Sequence, residues 1–473
     1  MKKQIITDPT QKALKLNLNR NIYGTIAEIG AGQEVARRFF RAGGASGTIA
    51  KTISAYDMAF SDYLYGASEA KRYVSEERLR QMLETEFDAL PQIIKKNKKD
   101  VCFFTYADTI TAINYQKTNE SHGWIGVRFQ LYPNSNSNDV IVHIRLLEKD
   151  NFLQQRTTGI FGINLIYACY NYTNNPHRFL LSLLDGLSRD QIEINMIKMS
   201  GPDLKYIDNR LLSVQLVKNH MTSASLFDKN MNVCQPSDML HKKNVLIIRG
   251  RFRPITHFTF DMINTGFNEF SKKTNDKNNS VTFCELSMES ILKTGDFDEN
   301  DFINRVELIC GLGQNVMVSN YPEHYKFISY FNRFKIDKLG IVLNALTLKD
   351  ILNEKNYKNL KGGILEAFGK LFVKNMEMYV YPALSESGDK IITSKTIDIP
   401  DNIKPLFDYL IKNKKLKDLK NINTDKLHIF SDNVIEMIKN NVPGWEEMIP
   451  KYAVDKIKSK KMFGFGKSNR LAE

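Results

Sequence analysis

Several residue types and patterns are scarce in this chain, and each scarcity narrows what it can be. Its five cysteines (Cys102, Cys169, Cys234, Cys284, Cys310) are odd in number, far apart and set among apolar neighbours. Metal sites and disulfide frameworks space cysteines closely or in even sets, so buried free thiols in a reducing cytoplasm are the expectation. No run approaches the ~20 apolar residues of a membrane-crossing helix. The opening MKKQIITDPTQKALK has two lysines but no apolar segment of the secretory kind. No G-x-S-x-G elbow offers a serine nucleophile. The eight histidines show neither H-E-x-x-H nor paired-cysteine spacing, which leaves metal catalysis unsupported. Zinc-finger, RNP-like and helix-turn-helix signatures are missing too, so specific nucleic-acid binding rests on charge alone.

What remains is a chain of 473 residues, 42% hydrophobic and 25% charged, which is the composition of a globular protein with sizeable cores. That length calls for two or three domains. The net charge of +13 favours acidic partners such as phosphates or a membrane surface.

Residues 1–90 read as helices with glycine breaks. Gly30-x-Gly32 opens like a dinucleotide fingerprint, but no glycine follows three places on, where Val35 stands. GGASGTIAKT ends in Lys51-Thr52, yet Ala50 stands where a P-loop needs glycine. Two small-residue joints are the simpler reading, with a phosphate-cradling nest near Arg37, Arg38 and Arg41 as the alternative. Ser75 caps a following helix that carries Leu79, Met82, Leu83 and Phe87.

From Val101 the period changes to two. VCFFTYA, WIGVRFQLY and DVIVHIRLL are strand-like, and YPNSNSND joins the last two as a hairpin. Alternation gathers Trp124, Arg128, His143 and Arg145 on one polar face, with His122 at its edge. A solvated sheet face is the first reading of that set, an anion-binding surface the second. GIFGINLIYACYNY, apolar all round, is a buried helix. After Gln191, strand-like runs (QIEINMIKMSG, SASLF, NVLIIRG, SVTFCELSM, NVMVSNY, LGIVLNAL, MEMYVYP) alternate with helical ones, the grammar of a mostly parallel sheet. The expected architecture is α/β: an N-terminal helical and antiparallel α+β region (1–190), a Rossmann-like, doubly wound domain (191–385) and a helical, basic C-terminal region (386–473). The tail KYAVDKIKSKKMFGFGKSNR reads first as solvated and second as a foot on anionic surfaces.

The stretch most suggestive of chemistry is NVLIIRGRFRPITHFTFDMINTGFNEF, a strand, a turn and a helix. A helix start beside cations is a ready phosphate site. The candidate ligand-binding residues are Arg249, Gly250, Arg251, Phe252, Arg253, Pro254, Thr256 and His257. Ser200, Gly201, Ser319 and Asn320 join them from other strand ends. The turn resembles that of the adenylyltransferase superfamily, G-x-F-x-P-x-H-x-G-H, at Gly250, Phe252 and Pro254. Thr256 replaces the first histidine, His257 comes one place late, and the closing Gly-His pair is missing.

Over almost its whole length the chain also resembles a bacterial family whose members carry names such as nicotinate-nucleotide adenylyltransferase and TonB-dependent receptor. The stretches concerned are AEIGAGQEVARRFFRAGG, SHGWIGVRFQ, GRFRPITH and GGILEAFGKLF. That resemblance implies a shared fold. The expectation is therefore a cytoplasmic protein binding a nucleotide or other phosphorylated small molecule. Nucleotidyl transfer with ATP and Mg²⁺ is the chemistry if it is an enzyme. A non-catalytic scaffold that forms homo-oligomers or docks on anionic partners is the competing expectation.

Overall fold

The computed structural model describes residues 5–30, 33–67, 72–94, 100–272, 279–293, 295–385 and 387–466. The chain divides into two compact units, Met1–Thr222 and Ser223–Glu473.

The first unit is built on a six-stranded sheet: β1 (Ile22–Gly30), β2 (Ile49–Ile53), β3 (Cys102–Thr111), β4 (His122–Phe129), β5 (Asn138–Leu146) and β6 (Ile192–Ser200). Its order is β2-β1-β3-β4-β5-β6. β1 runs parallel to both β2 and β3, and the remaining pairs are antiparallel. The helices are α1 (Pro9–Asn17), α2 (Glu34–Ala42), α3 (Met58–Tyr65), α4 (Glu76–Ile94), α5 (Asn151–Asn171), α6 (Pro176–Leu183) and α7 (Asn209–Lys218).

The buried helix expected over 159–172 is α5; every residue from Thr157 to Cys169 is buried, and Asp150 caps its start. Gly162 of α5 lies so close to α2 that a Cβ there would fall 2.3 Å from Val35. On the β4 face that carries Gly126, Leu79 and Leu83 of α4 press on that glycine, where a Cβ would meet Leu83 at 2.8 Å. That contact corrects one expectation: the Trp124–Arg128 face is covered by α4, not solvated. Its polar groups are paired, Arg128 with Asp139 at 2.8 Å and Arg145 with Glu193 at 2.6 Å. Two further expectations change. The glycine-broken N-terminus holds two parallel strands as well as helices, because its apolar runs are needed to complete the sheet. The strand after Gln191 pairs with β5, so the division between units falls at Thr222–Ser223 and not near 190.

The second unit has an eight-stranded sheet with strands β7 (Ala224–Phe227), β8 (Val233–Cys234), β9 (Asn244–Arg249), β10 (Ser280–Ser287), β11 (Asn315–Ser319), β12 (Lys338–Asn344) and β13 (Met376–Tyr381). A small hairpin, β14 (Ala383–Leu384) and β15 (Ile391–Ile392), lies apart, and β16 (Leu416–Asp418) closes one edge of the large sheet. The order is β16-β13-β12-β9-β10-β11-β7-β8, and only β7 and β8 run antiparallel to their neighbours. Counted along the parallel strands, the chain steps outward from β9 to β11, then returns to the other side of β9 and steps outward again. The order therefore reverses beside β9.

The helices are α8 (Pro236–Leu240), α9 (His257–Ser271), α10 (Met288–Leu292), α11 (Glu299–Gly311), α12 (His324–Phe331), α13 (Ala345–Ile351), α14 (Gly363–Leu371), α15 (Lys404–Lys412), α16 (Ser431–Lys439) and α17 (Lys451–Lys460). Strands with both faces covered read as continuous apolar runs, and β9 and β12 do. Gly266 sets the depth of α9 on the sheet, since a Cβ there would meet Val342 at 2.6 Å. The tail is not a solvated strand of chain as far as Gly466. Trp445 is buried against Phe465, Phe463 is buried, and Lys460 pairs with Glu307 of α11 at 2.5 Å. Residues 467–473 lie outside the described set. Among the described residues no helix is long and apolar enough to cross a membrane, and all five cysteines are free, four of them buried.

Candidate functional site

Strand β9 ends at Arg249, and the chain turns sharply on leaving it. The Gly250 amide donates to the Glu285 carbonyl at 3.1 Å, tying the turn to β10. Phe252 adopts a left-handed backbone (φ +45°) and folds its buried ring under Gly250, where an added Cβ would stand only 3.2 Å away. Ile255 is then buried, and Thr256 starts α9 as its cap, accepting from the Thr259 amide at 3.3 Å. An apolar anchor on each side of Arg253-Pro254 thus fixes where the polar groups of the turn can point.

Those polar groups have distinct partners. Arg249 donates to Glu285 at 2.8 Å and to the carbonyls of Tyr321 and Pro322. Glu285 is fully buried, which pushes its carboxyl up from the ordinary range, while Arg249 and Ser319 pull it back down. Ser319 donates to it at 2.5 Å. Arg249 and Ser319 are therefore committed to a buried acid, and a ligand that took them would leave a carboxylate without a counter-charge.

The other cations are less fully committed. Arg253 donates to Asp301 at 2.6 Å, and Asp301 also holds Arg305 of α11. Arg305 is buried, its Nη1 donates to the Arg251 carbonyl at 3.4 Å, and its Nε has no partner. Arg251 pairs with Asp432 at 2.6 Å in a contact open to solvent. Three guanidinium groups thus share two carboxylates. His257, the first residue of α9, is held below its usual range by burial and then by Lys426. Asp261, one turn further on, accepts from Tyr381 at 2.5 Å and from the Asn423 amide at 3.1 Å.

The candidates from 249 to 257, with Ser319, form one cluster at the carboxyl ends of β9 to β11. Asn320 sits at the end of β11 with its amide on the Ser223 carbonyl. Ser200 and Gly201 are placed in the other unit, at the end of β6, where Gly201 presses on Asn138. Sequence reasoning missed Asp301, Arg305, Lys426 and Asp432. Arg305 left a trace: it stands among Phe302, Val306 and Ile309 on the apolar side of a helix, where a charge needs a reason. Asp432, distant in sequence, left none. Among the described residues no group of three or more His, Cys, Asp or Glu can hold a metal ion. Asp301 and Asp432 are each taken by arginine. Beyond the ends of β12 and β13 opens a groove of about 1250 Å³ whose lining includes Lys349, Asp350 and Lys390.

The first unit has a strand-end crevice of its own, where β1, β2 and β3 run parallel. It consists of two adjoining hollows of about 720 and 870 Å³ that share Gly30, Tyr56 and Gln155. Phe40, Arg37 and Arg41 line one of them. The amides at the start of α2 are already filled: Glu28 accepts from Val35 at 3.0 Å and Ala36 at 3.2 Å. This excludes a phosphate from those amides unless Glu28 leaves. Gly30 takes φ +89°, and Gly32, the second glycine of the fingerprint-like stretch, lies outside the described residues. Asp108 stands opposite Glu28 in register on β3, buried, with one oxygen bonded to Tyr106 at 2.9 Å and the other without a partner. Burial, only partly offset by those amides, raises Glu28 to about 7; burial and then Glu28 raise Asp108 well above the carboxylate range.

Comparison with known proteins adds little to this chemistry. No family model matches the chain, and no curated protein matches it. Among solved structures it is similar to members of the competence-damage-inducible (CinA) superfamily. The competence/damage-inducible protein CihA from Agrobacterium tumefaciens shows 13% identity over 36% of this chain and 98% of its own, with a TM-score of 0.25. A competence or damage-inducible protein from Enterobacter asburiae shows 10% identity over 35% and 99%, with a TM-score of 0.26. The CinA superfamily protein from Escherichia coli shows 13% over 38% and 94%, with a TM-score of 0.25. The adenylyltransferase and TonB-dependent receptor names suggested by the sequence find no support among these matches.

Proposed function

We propose that this is a cytoplasmic α/β protein whose second unit binds a phosphate-bearing small molecule such as a nucleotide. The observation that carries the reading is the reversal of strand order beside β9, with a cationic turn and a helix start at that strand's carboxyl end. In doubly wound sheets, the class in which we place this unit, ligands bind in the crevice beyond the strand ends at that reversal. The three-to-two excess of guanidinium over carboxylate supplies the charge for an anion. Binding is favoured over nucleotidyl transfer, because hydroxyls at Thr256 and Thr259 replace the imidazoles that would steady charge on a phosphate. Free, buried thiols fit a reducing compartment.

A thermal-shift titration against ATP, nicotinate mononucleotide and NAD, with and without Mg²⁺, tests the reading. A ligand at 100 times its Kd adds about 2.7 kcal/mol to stability. Arg251→Ala should reduce that response, and it is the clean variant because its ion pair is exposed and structurally cheap. A flat response across the panel refutes the reading. A second reading places a small polar ligand in the first unit's crevice, favoured by its two open hollows and the aromatic and basic groups along them.

A further inference from the structure

The strand-end turn of the second unit is covered in part by its own chain. The first turn of α16 lies against it: Ser431 donates its hydroxyl to the Pro254 carbonyl at 3.2 Å, and Asp432 takes Arg251 at 2.6 Å. Upstream, the Asn423 amide binds Asp261, and Lys426 bears on His257. From one segment, 423–432, two hydrogen-bonded contacts and one nearby charge thus fall on the residues that sequence and topology single out for ligand, and a further hydrogen bond falls on Asp261 one turn into α9.

These contacts are unequal. Arg253 and Arg305 share Asp301, which is itself largely buried, and that triad is part of the fold. The Arg251–Asp432 pair is not: both side chains are about half or more exposed, at 44% and 65%. Exposed ion pairs contribute little and open readily. Asp432 is also the one of the two carboxylates that comes from outside the strand-end core. Removing its charge leaves three guanidinium groups facing a single carboxylate, an arrangement that calls for an anion.

We propose that Asp432 stands in for a phosphate of the ligand, so that binding requires the start of α16 to release Arg251. The device rests on the phosphate-binding reading given above. It makes the affinity of the site depend on α16: whatever holds that helix against the turn weakens ligand, and ligand frees the helix. The occupant is recognised by chemistry alone, as a group carrying two or more negative charges that can span Arg251 and the Arg253–Arg305 pair.

The test is calorimetric titration of the full chain with inorganic triphosphate at constant ionic strength. Asp432→Asn, close in shape and placed at an exposed site, should bind about 1.5- to 5-fold more tightly than the unaltered protein, the factor an exposed pair is worth. Ser431→Ala, which loosens the helix but keeps both charges, should tighten binding in the same direction and by less. Arg251→Ala should bind more weakly than either. If Asp432→Asn and Ser431→Ala bind as the unaltered protein does while Arg251→Ala binds more weakly, the inference is wrong and the binding site stands. If no variant binds triphosphate, both fall.

Discussion

Replacing Asp108 by Asn should flatten the dependence of the first unit's stability on pH. Glu28 and Asp108 face each other across neighbouring strands, both buried. Strands lie roughly 5 Å apart, and at an effective dielectric of about 20 two like charges at that distance repel by about 3 kcal/mol. Burial first, and for Asp108 the neighbouring Glu28 second, therefore keep on the pair a proton that the unfolded chain gives up. Well below pH 3.8 both states are protonated and the pair costs nothing. As pH rises towards 7, the unfolded chain releases the Glu28 proton while the folded protein retains it, so stability falls. The rise from 4.5 to about 7 corresponds to about 3 kcal/mol. Asp108, also raised, extends the loss in the same sense. In Asp108→Asn the Tyr106 hydroxyl keeps an acceptor. The loss between pH 5 and 8 should then shrink, because Asp108 no longer takes up a proton on folding. The chain has two tryptophans, and Trp445→Phe leaves Trp124, buried in the first sheet, as the sole indole reporter in urea unfolding. Parallel stability-against-pH curves for Asp108→Asn and its parent would refute the reasoning.

His143 should act with the opposite sign. Burial first and His122 second hold it at about 3, so it folds neutral; acid below pH 6.5 charges the unfolded chain and costs stability, by about 2 kcal/mol at pH 5. His143→Gln should abolish that acid-side decline in the same urea series. Gly266→Ala should destabilise the second unit by about 1–3 kcal/mol, although alanine is the better helix former, because the new methyl collides with the stiff Val342 side chain. A rise in melting temperature would show that α9 can shift without loss.

The longer strands of the second unit, β7 and β9 to β13, were legible in the sequence because their signals are local. A run such as NVLIIR is apolar on both faces and ends at glycine. In the first unit the same local reading failed at IYGTIAEIG, where glycine and glutamate interrupt the strand pattern. Glu28 is there to cap the amides of α2, and Gly24 admits the Phe104 side chain of β3. Both reasons lie across the fold. The covered face of β4 was misread for the same cause, since its cover, α4, announces its own apolar stripe but not its target.

The sequence by itself determined the longer strands of the second unit and the helices between them, the fully buried helix α5, and the cationic turn after β9, because periodicity, caps and turn residues act over a few positions; the short β8, β14, β15 and β16 carry too few residues to show a period. Only the tertiary structure decided that the strand after Gln191 belongs to the first sheet, and that Arg249 and Ser319 serve a buried glutamate. It alone brought Asp432 to Arg251 and set Glu28 beside Asp108. Such pairings join residues remote in the chain, and they are chosen by burial and charge balance once the layers have packed, which no local pattern encodes.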